Sequence, residues 1–207
     1  MWSWRLSWNQ IRPDIIIGSC PMKPGHLKSI QAKSGATALL SIQHQECLDR
    51  LGIDYPRHVK QGERLGLVMA RCPMRDFDPA DQRLRLPGAV QNLHALLCNG
   101  HRVYVHCTAG INRSSLVVLA YFIFVETQSE DLAFATIQLR RPEVAPYWDA
   151  LHACQQDLLE QHQDAIRERA RHFERQSLYP DANSAKRKAE QEIIREALTT
   201  KPLAQAL

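Results

Sequence analysis

One stretch in the middle of the chain constrains its fold more than any other. A short apolar run at residues 103–105 is followed by a loop of small and polar residues that ends at Arg113. The residues after this loop, 114–126, are apolar on nearly every side of a helix. Such a helix is stable only when other elements cover all of its faces, so the chain must form several layers around it.

The rest of the chain alternates between short apolar runs and longer segments. The apolar runs have the length and β-branched content of buried strands, and they lie at 15–17, 36–42 and 65–70. The remaining segments predict helices at 24–33, 45–51, 82–98, 131–141 and 146–163. Asp81 is the predicted N-cap of the helix from residue 82, and Pro87 predicts a kink or a restart within it. Strands separated by helices predict an α/β fold with a central, mainly parallel sheet flanked by helices.

The composition fits one folded domain with a tail. Among the 207 residues, 44% are hydrophobic and 23% are charged, which is close to the average of globular proteins. Residues 1–163 are expected to form the main domain, in which 1–14 is an aromatic N-terminal segment. From residue 164 the chain is rich in Arg, Glu, Gln and Ala. This change, with a turn signal at 179–183, predicts a helical C-terminal extension over 164–207 made of two joined helices.

The sequence lacks the usual features of membrane, secreted and nucleic-acid-binding proteins. Its longest apolar run, 116–125, has ten residues, about half of what a membrane span needs. The N-terminus has no apolar core followed by a cleavage site, so we expect a cytoplasmic protein without a membrane partner. The net charge of +4 is spread without a basic block, which argues against a nucleic-acid partner. The sequence sets no oligomeric state.

The loop between the strand and the buried helix has the composition of a phosphate-binding site. Amide N–H groups at a helix N-terminus have no partner within the helix, and they attract anions. A thiol at the base of such a loop, Cys107, is expected to be acidic because these donors favour the thiolate. Arg113 can bind two phosphate oxygens in a fork, and the Ser114 hydroxyl can donate to the sulfur. These groups together predict phosphoryl transfer through a cysteinyl-phosphate.

This loop resembles the HC-x5-R-[ST] signature of the cysteine-dependent protein tyrosine phosphatase superfamily. The resemblance implies that Cys107 is the nucleophile, that Arg113 stabilises the transition state, and that Ser114 helps the thiolate to leave. It also implies that His106 supports the loop and tunes the thiol, and that no metal or other cofactor takes part. The residues implied to bind phosphate are Thr108, Ala109, Gly110, Ile111, Asn112 and Arg113.

The leaving oxygen needs a proton donor, and the aspartate-rich loop at 71–81 supplies three candidates. Asp76 lies 31 residues before Cys107, a spacing similar to that of dual-specificity phosphatases. The stretch RCPMRDFDPADQRLRLPGAV resembles the matching loop of plant glucan phosphatases of the starch-excess and like-starch-excess type. That resemblance, which extends from Trp8 to Arg141, implies that Asp76 is the general acid. It also implies that Phe77 lines the substrate channel.

Three positions differ from the glucan phosphatases. Asn112 stands where glycine is expected in the loop, Ser114–Ser115 replaces Ala-Pro after the arginine, and Arg50–Leu51 replaces an aromatic pair. These differences bear on the substrate rather than on the phosphatase chemistry.

Aromatic side chains near the N-terminus are candidates for binding sugar rings, which stack on them. Trp2, Trp4 and Trp8 would share one face if this segment is extended. Trp8 occupies a position where the plant enzymes have an aromatic residue, so it is a second candidate for substrate binding. The alternative is that these tryptophans pack against the domain.

Several functions are compatible with this sequence. The first is hydrolysis of phosphate from phosphorylated glucan, and the second is the same chemistry on phosphoproteins. An RNA 5′-triphosphatase and a pseudophosphatase that only binds phosphate are weaker alternatives. Because thiolates oxidise readily, Cys72 and Cys47 are candidates for a disulfide with Cys107.

Overall fold

A computed structural model describes residues 4–200 of the chain. The described residues form a five-stranded sheet of β1 (Trp8–Arg12), β2 (Ile15–Gly18), β3 (Ala38–Gln43), β4 (Val68–Met74) and β5 (Val103–His106). The strand order is β1-β2-β5-β3-β4, and β5 lies in the middle. Only β1 is antiparallel to its neighbour. The predicted α/β fold with a mainly parallel sheet is therefore confirmed.

The register of the parallel strands positions the functional loop. His106, the last residue of β5, is paired with Gly18 at the end of β2 and with Ser41 near the end of β3. The carboxyl ends of these three strands therefore meet at one edge of the sheet. Loops that leave this edge come close together in space, as is usual for ligand sites in parallel sheets.

Helices cover both faces of the sheet. They are α1 (Pro24–Ser34), α2 (Gln45–Leu51), α3 (Tyr55–Arg64), α4 (Pro79–Cys98), α5 (Arg113–Ala120), α6 (Glu130–Arg140), α7 (Trp148–Gln161), α8 (Gln163–Arg175) and α9 (Ala182–Thr199). Side chains of each strand alternate between the faces. On one face Ile16, Leu39 and Tyr104 pack with Leu27 and Ile30 of α1. The other face carries the larger core, which includes residues of α4, α5, α7 and α9.

The helix predicted at 114–126 is buried as its composition requires. Every residue of α5 is buried, and the chain continues from Ala120 into a π-helical segment, Tyr121–Val125. Four of the five residues of that segment are buried as well. Placing this apolar stretch at the centre of the protein removes its surface from water and stabilises the layers around it.

Some predicted boundaries were wrong. α4 begins at Pro79 and not at residue 82, because Asp78 is its N-cap and accepts a hydrogen bond from the Asp81 amide. Asp81, the predicted cap, instead accepts from the Arg75 amide at 2.8 Å. The strand predicted to end at residue 70 continues to Met74, because its last residues pair with β3. α4 runs through Pro87 as one helix.

The C-terminal helices form a hairpin that is joined to the main core. Ile166, Phe173 and Ala189 belong to a small cluster between α8 and α9. Ile194 and Leu198 of α9 belong to the main core, and the Gln91 side chain of α4 donates to the Ala197 carbonyl at 3.1 Å. The two predicted helices are confirmed, whereas the domain boundary at residue 163 stays a prediction. Within residues 4–200, no helix combines the length and apolar character that a membrane span requires.

The packing of α9 can be tested at its buried face. We expect Ile194→Ala to lower the free energy of unfolding by about 2–4 kcal/mol, because it leaves a cavity in the main core. The matched control is Gln191→Ala, an exposed position on the same helix, which should change stability by less than about 0.5 kcal/mol. Denaturant unfolding measures the free energy of unfolding of both variants. Equal values for Ile194→Ala and Gln191→Ala would mean that α9 does not pack on the core.

Candidate active site

The loop that joins β5 to α5 surrounds the side chain of Cys107. β5 ends at His106 and α5 begins at Arg113, so residues 107–112 form the loop. Gly110 has φ +75, and a Cβ atom there would lie 2.5 Å from the Gly18 carbonyl oxygen. Only glycine fits this position, because it tolerates the left-handed conformation and the close approach of β2. The loop thereby stays tight against the edge of the sheet.

Cys107 lies at the base of this loop and is 3% exposed. Burial alone would raise the pKa of its thiol, but the positive charge of Arg113 opposes this effect. Hydrogen bonds from the Ser114 hydroxyl and from the amides of Ser114 and Gly110 also lower the thiol pKa. As a result, the pKa of Cys107 is lower than that of an ordinary thiol. The Ser114 oxygen lies 3.5 Å from the sulfur. The thiolate, which is the nucleophilic form, is therefore favoured.

Arg113 directs a buried guanidinium towards the cavity above the loop. Its Nη1 donates to the Met74 carbonyl at 3.0 Å and to the Cys47 sulfur at 3.3 Å. Its Nη2 donates to Asp76 Oδ2 at 2.7 Å and to Thr108 Oγ1 at 3.1 Å. Within the described residues its Nε is buried without a hydrogen-bond partner. A phosphate oxygen would satisfy this donor, because guanidinium groups bind phosphate through two parallel N–H bonds.

Asp76 and Phe77 stand side by side at the mouth of the cavity. The Asp76 side chain is 30% exposed, and its carboxylate is paired with Arg113. Phe77 is 79% exposed and has φ +56, an unusual conformation for a bulky residue. Both residues lie in the short connection between β4 and α4. The structure thus places a carboxyl group and an aromatic ring at the site, as the sequence predicts.

His106 supports the loop from below. Its imidazole is buried, and burial lowers its pKa to about 4, so the ring is neutral at physiological pH. The ring Nδ1 lies 3.2 Å from the Cys107 carbonyl oxygen. Because a carbonyl oxygen only accepts, Nδ1 carries the proton and donates it to this oxygen. The histidine therefore fixes the backbone of Cys107 without placing a charge next to the thiolate.

The side chains described above surround a cavity of about 550 Å³. One wall is the loop from Cys107 to Arg113, and a second wall is Asp76 with Phe77. The third wall comes from α2, and its members are Glu46, Cys47, Arg50 and Leu51. A phosphate group held by the loop would project its substituent between Phe77 and α2. Within residues 4–200, no group of three or more His, Cys, Asp or Glu side chains is placed to hold a metal ion.

Among the residues that the structure describes, no tryptophan lines this cavity, and the substrate contact of Trp8 stays a prediction. Trp8 lies on β1 and packs edge-on against Tyr104, with ring centroids 6.2 Å apart. Gly18 makes room for both side chains, because a Cβ atom there would clash with the Tyr104 phenol group and with the Trp8 Cβ atom. Trp4 stacks on His26 at 5.1 Å, and Trp2 lies outside the described residues. Within residues 4–200, Phe77 is thus the one aromatic residue that lines the cavity.

Two contacts of the site have no signal in the sequence. Cys47 touches the Arg113 guanidinium from α2, whereas Cys72, the other predicted disulfide partner, faces the Gly88 carbonyl on α4. All six cysteines are free thiols. Arg141 binds the outer side of the loop and was predicted only as the end of a helix. A local pattern could not reveal either contact, because each joins residues more than 30 positions apart.

Comparison with known proteins agrees with this geometry. A family model of the dual specificity phosphatase catalytic domain matches residues 37–157. The chain is 33% identical over 156 residues to the amyloplastic phosphoglucan phosphatase DSP4 of Castanea sativa, covering 74% of this chain and 41% of that protein. It is 32% identical over 162 residues to laforin of Mus musculus, covering 73% and 49%. The chain therefore spans less than half the length of these relatives.

The fold also has known counterparts. The crystal structure of PTPMT1 matches with a TM-score of 0.59 and 21% identity, covering 72% of this chain and 91% of that one. At this identity the match bears on the fold alone. The family model covers more than half of the chain and includes the whole loop around Cys107. The chain therefore belongs to the dual specificity phosphatase family.

Proposed function

We propose that this chain is a metal-independent phosphatase that hydrolyses phosphate monoesters through a cysteinyl-phosphate. One observation carries the proposal: the Cys107 thiol, the Arg113 guanidinium and the Asp76 carboxyl group all line one cavity. A nucleophile, an anion-binding group and a proton donor are the three parts that this reaction needs. The low pKa of the Cys107 thiol supports the same assignment.

In the first step, the amides of the loop and Arg113 hold the phosphate above Cys107. The sulfur attacks phosphorus, the bond from phosphorus to the substrate oxygen breaks, and Asp76 protonates the departing oxygen. The Asp76 carboxylate is paired with Arg113 in the free protein; when the bound phosphate takes over the guanidinium, the released carboxylate takes up a proton from water and becomes the acid. This exchange keeps the buried cation compensated throughout.

In the second step, water attacks the phosphorus of the cysteinyl-phosphate. Asp76, now a carboxylate, accepts a proton from this water, and the bond between sulfur and phosphorus breaks. Inorganic phosphate and the Cys107 thiolate are the products. The Ser114 hydroxyl, 3.5 Å from the sulfur, stabilises the departing thiolate by donating a hydrogen bond.

Phosphorylated glucan is the substrate that we favour. The relative from Castanea sativa is named as a phosphoglucan phosphatase. In this chain, Phe77 offers an exposed ring at the cavity mouth on which a sugar could stack. A phosphoprotein is the alternative, and Arg50 and Leu51 on the opposite wall favour it, because they offer a charge and an aliphatic surface instead of rings. The proposal also places the protein in the cytoplasm. It assigns the catalytic domain to residues 1–163 and includes no nucleic-acid partner.

The thiolate assignment predicts a pH dependence. Cys107 should react with iodoacetamide at a lower pH than an ordinary thiol, because its lowered pKa increases the fraction of thiolate. Removing the charge in Arg113→Met raises that pKa, so the reaction should require a higher pH and slow by about tenfold at neutral pH. The exposed Arg64→Met is the control. Mass spectrometry of modified Cys107 follows the rate, and identical profiles for all three proteins would contradict the assignment.

The role of Asp76 as general acid can be distinguished from that of Asp78, which lies in the same loop. We expect Asp76→Asn to lower kcat by about 100-fold or more on an alkyl phosphate, whose leaving oxygen needs a proton, and by less on p-nitrophenyl phosphate. Asp78→Asn is the matched control, because asparagine also caps a helix and kcat should stay close to that of the wild type. Equal losses in both variants would contradict the role of Asp76.

The substrate class can be tested with three phosphorylated compounds. We expect phosphate release from solubilised phosphoglucan to exceed release from a phosphotyrosine peptide, with p-nitrophenyl phosphate as reference and Cys107→Ser as blank. Phe77→Ala should slow the glucan reaction more than the aryl phosphate reaction, and the exposed Leu84→Ala is its control. Faster release from the peptide would favour the phosphoprotein alternative. No release from any compound would leave a phosphate-binding protein without turnover.

A further inference from the structure

Arg141 is buried directly behind the loop that holds Cys107. It is 1% exposed, although it follows the last turn of α6 and belongs to none of the predicted site residues. Its Nε donates to the Gly110 carbonyl at 2.7 Å, and its Nη2 donates to the Ala109 carbonyl at 2.9 Å. Two consecutive peptide groups of the loop are therefore held by one planar guanidinium.

Because Arg141 holds the two carbonyls, it also sets the direction of the amides in the same peptide groups. In a trans peptide the C=O and N–H bonds point in opposite directions. The Ala109 carbonyl belongs to the same peptide as the Gly110 amide, which donates to the Cys107 sulfur. The Gly110 carbonyl belongs to the same peptide as the Ile111 amide. Holding both carbonyls on the outer side thus directs both amides inwards.

Arg141 is itself fixed by the rest of the fold. Its Nη1 donates to the Asn9 side chain on β1 at 2.8 Å, and Glu143 lies 3.3 Å from Nη2. The chain just after it also ties the loop, because the Ala145 amide donates to the Ile111 carbonyl at 3.0 Å. The guanidinium therefore has no freedom to turn away from the loop. A lysine would keep the charge but lacks the rigid planar fork whose donors match the two carbonyls.

We propose that Arg141 is a positioning residue that sets the anion affinity of the loop by holding the Ala109 and Gly110 carbonyls away from the cavity. It touches neither the phosphate nor the reacting sulfur. Its charge also polarises the two peptide groups, which strengthens their N–H groups as donors. The inference rests on the proposed phosphatase function, since it concerns the loop that would bind the phosphate.

The test compares Arg141→Met and Arg141→Lys with the wild type. Orthovanadate, an oxyanion that mimics phosphate, is titrated by calorimetry against each purified full-length protein. We expect the Kd for vanadate to rise by about tenfold or more in Arg141→Met and by less in Arg141→Lys. The Cys107 thiol should also need a higher pH to react with iodoacetamide. A residue that only stabilised the fold would alter the melting temperature and leave both readouts of the folded protein unchanged.

Arg140→Met is the matched control. Arg140 is the preceding residue, is exposed, and makes no hydrogen bond or ion pair within the described residues. It should bind vanadate like the wild type. If Arg141→Met does not fold, the vanadate Kd and the thiol reactivity of the more conservative Arg141→Lys test the inference. A folded Arg141→Lys with the wild-type Kd and thiol reactivity would overturn the inference, whereas a wild type that neither binds vanadate nor releases phosphate would overturn the proposed function instead.

Discussion

The stabilisation of a negative sulfur inside the protein is the interaction on which the rest of this structure depends. A buried charge is costly unless surrounding groups compensate it. Here the compensation comes first from Arg113, then from the Ser114 hydroxyl and from the amides of Ser114 and Gly110, so the loop must keep a conformation that leaves its carbonyls outside. The tight edge of the sheet, the left-handed conformation of Gly110 and the start of α5 all serve that single requirement.

Two arginines on opposite sides of the loop complete this arrangement. Arg113 points into the site, where it binds the phosphate in the proposed reaction, whereas Arg141 lies outside the loop and donates to its carbonyls. Both are almost fully buried, and each makes three or more hydrogen bonds. Buried cations are stable only with such partners, which arginine can satisfy because its donors form a rigid fork. The site therefore uses one property of arginine twice, once for substrate and once for backbone geometry.

The parts of the site that follow a local pattern could be predicted from the sequence. The strand, loop and helix around Cys107 are contiguous, and their apolar and small residues have a characteristic order. The start of α4 was predicted wrongly, because three nearby aspartates can all act as caps and the sequence pattern does not single out Asp78. Arg141 could not be found, because its role depends on a contact across 31 residues. The antiparallel β1 and the helix α3 were also missed, because neither carries a run of apolar residues: Ile11 is the buried residue of β1, and His58 and Gly62 are those of α3.

The residues proposed for the chemistry and those proposed to select the substrate lie on different elements. This explains why the sequence predicts the reaction better than it predicts the substrate. In the proposed reaction the loop and Asp76 carry out the chemistry, whereas Phe77 and α2 form the walls that the substituent of the phosphate would meet. Phe77 carries two unfavourable features at once, because its left-handed backbone costs about 1 kcal/mol and its ring is exposed to water. Neither feature stabilises the fold. A residue that bears both costs beside the proton donor is best explained by a ligand that covers the ring, which favours a substrate with an apolar face to stack on it.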